Sequence, residues 1–145
     1  MPFEQSAGFL VFRKEADKIF YLLLHYPAGS RASKDFWEFP KGHIEKGEDA
    51  LITAKRELEE ETQIKDLRII EFFKEWIKYF FVADGKKIFK VVTFFLGETS
   101  QKNIEISREH IGFAWVEFSQ ACEMVSFANS KKILKKANNF LLKKI

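Results

Sequence analysis

Two apolar runs, "SAGFLVFRK" (6–14) and "KIFYLLLHY" (18–26), flank the polar "EAD" and predict a β-hairpin. The stretch 27–35, "PAGSRASKD", mixes Pro, Gly, Ser and Asp without periodicity and predicts a loop. "FWEFPKGHIEKGE" reads as short and extended, broken by Pro40, Gly42 and Gly47. The pattern then changes: between Asp49 and Thr62 helix formers dominate and Leu51, Ala54 and Leu58 recur on one face. Residues 67–82 and 86–97, rich in Phe, Ile and Val around the Asp-Gly of "ADGKK", predict a long hairpin. "GFAWVEF" adds a short strand, and "SQACEMVSF" and "KKILKKANNFLLKKI" predict two more helices, the last burying Ile133, Leu134, Ala137, Leu141 and Ile145 along one stripe.

Strands interleaved with two or three helices predict a mixed sheet covered on both faces. The chain length fits one domain over residues 1–145, and no repeat, linker or low-complexity tract divides it. Hydrophobic residues at 46% and charged residues at 31% are ordinary for a globular chain, whereas 17 Phe predict an aromatic-rich core. The single Cys122, among apolar neighbours, reads as an inert buried thiol and calls for no oxidising compartment, so a cytoplasmic setting is expected. No apolar run approaches membrane-spanning length, no secretory start is seen, and neither a membrane nor an obligate protein partner is expected. The net charge is only +3, and the lysine-rich tail that carries the surplus reads better as a packed amphipathic helix than as an anion-binding arm.

One segment is locally unfavourable. "RELEEET" (56–62) places four glutamates in five positions. At about 100° per residue Glu57, Glu60 and Glu61 share one arc of the helix beside the apolar stripe, while Glu59 points away as a solvated charge. Ala50 and Thr53, both small, share that arc and are expected to leave the surface beside the carboxylates open. Like charges at these spacings cost about 0.2–0.5 kcal/mol per pair, and the helix C-terminus adds to the penalty. A hard divalent cation relieves both, and Lys41 and His43 just upstream would suit a phosphorylated substrate beside it.

The residues from Gly42 to Ile64 also resemble the box of the Nudix hydrolases, G-x5-E-x7-R-E-U-x-E-E-x-G-U, with Gly42, Glu48, Arg56, Glu57, Leu58, Glu60, Glu61 and Ile64 in place and Gln63 where the family has glycine. That resemblance implies an α/β (α+β) fold, an α/β/α sandwich around a mixed β-sheet. It also implies Mg²⁺ (or Mn²⁺) held by Glu57, Glu60, Glu61 and the backbone carbonyl of Lys41, with Glu57 as candidate activator of water. Gly42, Glu48 and Arg56 take supporting positions. A left-handed residue commonly ends such a helix, so Gln63 is expected to strain the helix end without touching the chemistry.

Outside the box, "FWEFPKGHIEKGE", "KVVTFFL" and "SREHIGFAWVEFSQA" are similar, in order, to segments of the asymmetric diadenosine tetraphosphate hydrolases. This wider resemblance implies cleavage of a dinucleoside polyphosphate to ATP and AMP, with Lys41, His43 and Lys90 against the phosphates and Phe94, Tyr79 and Phe81 as candidate partners of the base. Glu109 becomes a candidate second carboxylate, while His110 reads as structural and His25 has no evident partner. The alternatives are removal of pyrophosphate from an RNA 5′ end, hydrolysis of a damaged nucleoside triphosphate, and, in a different class, a non-catalytic nucleotide sensor. The last needs no complete set of box acids.

Overall fold

The computed structural model describes residues 2–29 and 32–144; the middle of the 27–35 loop and Ile145 of the closing stripe lie outside them. In chain order the elements are β1 (Phe3–Glu15), β2 (Lys18–Tyr26), β3 (Phe36–Glu38), β4 (Lys41–His43), α1 (Ala50–Thr62), β5 (Arg68–Ala83), β6 (Lys86–Glu98), β7 (Gly112–Val116), α2 (Phe118–Met124) and α3 (Ala128–Lys143). The seven strands form one mixed sheet with the main order β3-β2-β1-β6-β5, β4 pairing β1 and β7 pairing β2.

β1 and β6 run parallel from Phe3↔Phe89 to Phe12↔Glu98 at the centre of the sheet, which explains their near-continuous apolar sequences: a central strand is buried on both sides. Alternation sorts their side chains. Leu10, Phe12, Tyr21, Leu23, Val92, Phe94 and Leu96 pack with α2 and α3, while Ala7, Phe9, Val11, Leu22, Leu24 and Phe95 pack under Ala54 and Leu58 of α1. The result is the layered α/β/α arrangement with a mixed sheet. Both hairpins close with two left-handed residues, Ala16-Asp17 (φ 50 and 65) and Asp84-Gly85 (φ 51 and 73), the turn geometry that matches strand twist.

Three expectations change. The strand expected over 67–82 is broken by a register shift between Ile69 and Lys74, where Phe72 takes φ 71 and points outward, 90% exposed. The bulge lets Ile70 and Phe73 both reach the core. Cys122 is half-buried rather than buried, although desolvation still pushes its thiol upward. His25 has partners: its Nε2 lies 2.5 Å from Asp35 Oδ2 and its ring stacks on Trp37 at 4.2 Å. Among the described residues no helix is long and apolar enough to cross a membrane.

α1 starts where Asp49 Oδ1 accepts from the Ile52 N–H at 2.8 Å. It ends at Gln63, which takes the left-handed conformation (φ 60, ψ 23) and donates its N–H to Glu59 O. A side chain in that region costs about 1 kcal/mol relative to glycine. Gln63→Gly is therefore expected to raise unfolding stability by about 1 kcal/mol in urea titrations; an unchanged or lower midpoint would contradict the strain.

Candidate active site

Glu48 and Arg56 build the floor of the site. Glu48 accepts from the Glu45 N–H at 3.1 Å and the Thr53 hydroxyl at 2.8 Å. Its Oε2 takes the Arg56 Nε–H at 2.7 Å and its Oε1 takes Nη2 at 3.0 Å. This bidentate pairing holds the Glu48 carboxyl down to about 2. The same guanidinium donates to the His43 carbonyl at 3.2 Å, to Glu57 Oε1 at 3.0 Å and to Glu60 Oε2 at 3.3 Å. One planar donor set thus fixes β4, the loop before α1 and two of the three arc carboxylates. Thr53, expected to leave the arc open, is wholly buried beneath Glu48.

The three arc glutamates differ in surroundings. Glu60 is exposed and Glu57 is half-buried. The Glu57 side chain lies directly on Gly42, where an added Cβ would meet its Cδ at 2.0 Å, so a side chain at position 42 would displace it. Glu61 is 2% exposed. Its Oε2 stands 3.0 Å from His110 Nε2 and 3.5 Å from the Tyr26 hydroxyl, while its Oε1 is buried with no hydrogen-bond partner. His110 Nδ1 is fixed 3.0 Å from Ser107 Oγ, and the Ser107 N–H donates to the Glu61 carbonyl at 3.1 Å. Desolvation raises Glu61 to about 6, with Glu57 and Glu109 adding to it. Glu57 is raised for the same reasons, desolvation first and then Glu60 and Glu109, against the pull of Arg56.

The arc lines a cavity of about 570 Å³ together with Lys41, Gly42, His43, Lys90 and Glu109. A second cavity, about 540 Å³ and largely apolar, is lined by Tyr79, Phe81, Phe36, Phe127, Glu38 and Ser130 among others. Tyr26, Lys41 and Lys90 line both, so the two form one cleft with an acidic end and an aromatic end. Glu4 Oε1 sits 3.7 Å from Lys90 Nζ and 4.0 Å from His43 Nδ1, between two of the expected cations.

Phe94 is not brought to this cleft. It is wholly buried and packs edge-on against Phe39 at 5.7 Å. It shares a sheet face with Lys90 but lies farther along β6, under the core residues of α2 and α3; only the start of the strand reaches the cleft. Phe36 and Phe127, whose rings meet at 5.4 Å, stand in the aromatic wall instead. Nothing local in the sequence distinguishes them from core Phe. His110 and Tyr26, also missed as site residues, carry only the weak signal of polar rings beside apolar strands.

Among the described residues no three His, Cys, Asp or Glu side chains stand together as a finished metal cage; the acids lean on Arg56 and His110. The donor set nevertheless fits a hard divalent cation. The buried, unpartnered Glu61 oxygen has the largest unmet demand, and Glu57 and Glu60 are hard oxygen donors on the same arc.

The NUDIX domain model matches residues 2–137. The chain belongs to the NUDIX family. As a Nudix hydrolase it acts on phosphoanhydride bonds. It is 35% identical to the bis(5′-nucleosyl)-tetraphosphatase [asymmetrical] of Mus musculus, over 94% of this chain and 95% of that protein. The crystal structure of a C. elegans Ap4A hydrolase binary complex superposes with TM-score 0.84 at 32% identity, covering 97% of this chain and 98% of that one. An RNA pyrophosphohydrolase of Pelagibacter ubique is 28% identical over 86% of this chain and 83% of that protein.

His110 Nε2 stands beside Glu61 Oε2 without meeting hydrogen-bond geometry, and Oε1 is the oxygen that would be open to an ion. Outer partners of this kind are worth about 10–100-fold in ion affinity. His110→Ala is expected to weaken Mn²⁺ binding by about that factor in calorimetric titration; affinity equal to the parent, in a variant with an unchanged melting curve, would show that the contact orients nothing.

Proposed function

We propose that this protein is a Mg²⁺- or Mn²⁺-dependent hydrolase of nucleoside polyphosphates whose preferred reaction is asymmetric cleavage of diadenosine tetraphosphate to ATP and AMP. The observation that carries this reading is the continuity of the cleft. Carboxylates stand at one end and aromatic rings at the other, with Lys41 and Lys90 in the walls of both cavities. A long phosphate chain ending in a flat base has that same division of charge and apolar surface. The similarity to tetraphosphatases over nearly the whole chain supports it.

In this reading Lys41, His43 and Lys90 neutralise the phosphate chain, which carries about four negative charges and otherwise repels the glutamates. Glu57, Glu60, Glu61 and the Lys41 carbonyl hold the divalent ion. When bound, the ion supplies charge neutralisation at the phosphoryl oxygens and acidity to nearby water. Glu57 takes the proton as water oxygen attacks phosphorus. One P–O anhydride bond breaks, AMP leaves with one phosphate and ATP with three. Glu57 suits that task by place: it is half-buried in the wall of the cavity, beside the carboxylates that would hold the ion. Glu109, in the same wall, is a second carboxylate able to receive a proton. Tyr79 and Phe81 line the end where an adenine lies. Residues 1–145 act as a single catalytic domain. With one cysteine and no need of an oxidising compartment, its setting is the cytoplasm.

The test supplies diadenosine tetraphosphate, nucleoside triphosphates and 5′-triphosphorylated RNA to the purified protein with Mg²⁺. ATP and AMP should appear in equal amounts from the first, with kcat/KM exceeding that for the others, and Glu57→Gln should lower kcat at least about 100-fold with the fold retained. Preferential release of pyrophosphate from RNA, with steep salt dependence, would instead support the reading shared with the RNA pyrophosphohydrolases. Binding without turnover of any substrate would identify a sensor.

A further inference from the structure

One carboxylate in the cleft has no part in the hydrolytic chemistry. Glu38 lies on β3, 1% exposed, in the wall of the aromatic cavity. Its Oε1 accepts from the Phe39 N–H at 3.0 Å and its Oε2 from the Ser130 hydroxyl at 2.6 Å. Ser130 is itself wholly buried in the first turn of α3. Among the described residues no ion pair involves Glu38. A carboxylate has room for about four hydrogen bonds, and the protein supplies two. Each oxygen already has one partner and keeps room for a second donor, in the wall of a largely apolar space that Lys41, Lys90 and Asn129 also line.

We propose that Glu38 selects the base, accepting a hydrogen bond from the exocyclic amino group of an adenine lying among Phe36, Tyr79, Phe81 and Phe127. This rests on the reading of the protein as a dinucleoside polyphosphate hydrolase and adds to it the choice of base. The selection works by exclusion as well as attraction. Hypoxanthine has the same shape as adenine but carries a carbonyl where adenine carries the amine, so its oxygen would face the carboxylate, acceptor against acceptor. A site built to pair a donor rejects an analogue that lacks it far more strongly than an apolar pocket does. Glu38 also ties β3 to α3 through Ser130, a structural role that would affect all bases alike. The two roles therefore separate by comparing substrates.

The experiment measures kcat/KM for diadenosine and diinosine tetraphosphate with the parent protein and Glu38→Gln, and the affinities for AMP and IMP by calorimetry. The parent should favour adenine at least about tenfold, chiefly in KM, as expected for a hydrogen bond to a charged acceptor. The amide, which offers a donor as well as an acceptor, should shrink that preference to within about threefold, the change falling chiefly on KM. Equal use of both bases by the parent would overturn the proposal, as would a loss in Glu38→Gln of the same factor for both. Should the parent hydrolyse neither dinucleotide, the functional reading fails. The AMP and IMP affinities still decide base selection: a preference for AMP that collapses in the variant supports it, and equal binding overturns it. If Glu38→Gln does not fold, Glu38→Asp draws the carboxylate back by one methylene and should reduce the adenine preference; an unchanged preference overturns the proposal.

Discussion

The guanidinium of Arg56 ties together groups that would otherwise repel or drift apart: Glu48 below it, the His43 carbonyl beside it, and Glu57 and Glu60 on its own helix. Three carboxylates on one arc of α1 are unfavourable in isolation. The fold tolerates them because a fixed cation holds two from one side and His110 contacts the third from the other. Charge balance inside the site is therefore provisional. In the proposed reading, carboxylates that Arg56 now shares would be held by a divalent ion, and the Glu61 oxygen that has no hydrogen-bond partner would be satisfied by it.

That arrangement depends on close approach as much as on charge. Gly42 has no side chain because Glu57 occupies the space where one would lie. The ring contacts Phe127–Phe36, Phe36–Tyr26 and Tyr26–His110, at 5.4, 5.0 and 4.5 Å, run from the aromatic end of the cleft to the histidine beside Glu61. The aromatic end of the cleft and the placement of Glu61 thus share one packed row. Packed interiors transmit small displacements because they have little free volume, so substitutions in this row are expected to affect both ends of the cleft.

Much of this was legible in the sequence because the relevant signals are local and periodic. The hairpins announce themselves by turn residues, α1 by its apolar stripe and cap, and the arc of Glu57, Glu60 and Glu61 by helical spacing alone. The resemblance to the Nudix box selects the same three acids. What could not be read depends on contacts distant in sequence. Phe94 and Phe36 look alike in a chain with 17 Phe; the distance along the strand to the helical cover decides that one is core and the other lines the cleft. His110 acquires its place only when the loop after Ser107 folds against α1, 49 positions after Glu61 in the chain. The bulge at Phe72 has no turn residue to signal it, and Gln63 shows that a left-handed helix end can be held without glycine.

In the proposed reading the acids of α1 would gather a divalent ion that draws the phosphate chain into the cleft. Anomalous diffraction from a crystal grown with Mn²⁺ and a non-hydrolysable dinucleoside polyphosphate tests it most directly. Manganese peaks are expected within coordination distance of Glu57, Glu60 and Glu61, with phosphate oxygens on their open side. Manganese bound elsewhere, with these three side chains still engaged only by Arg56 and His110, would contradict it.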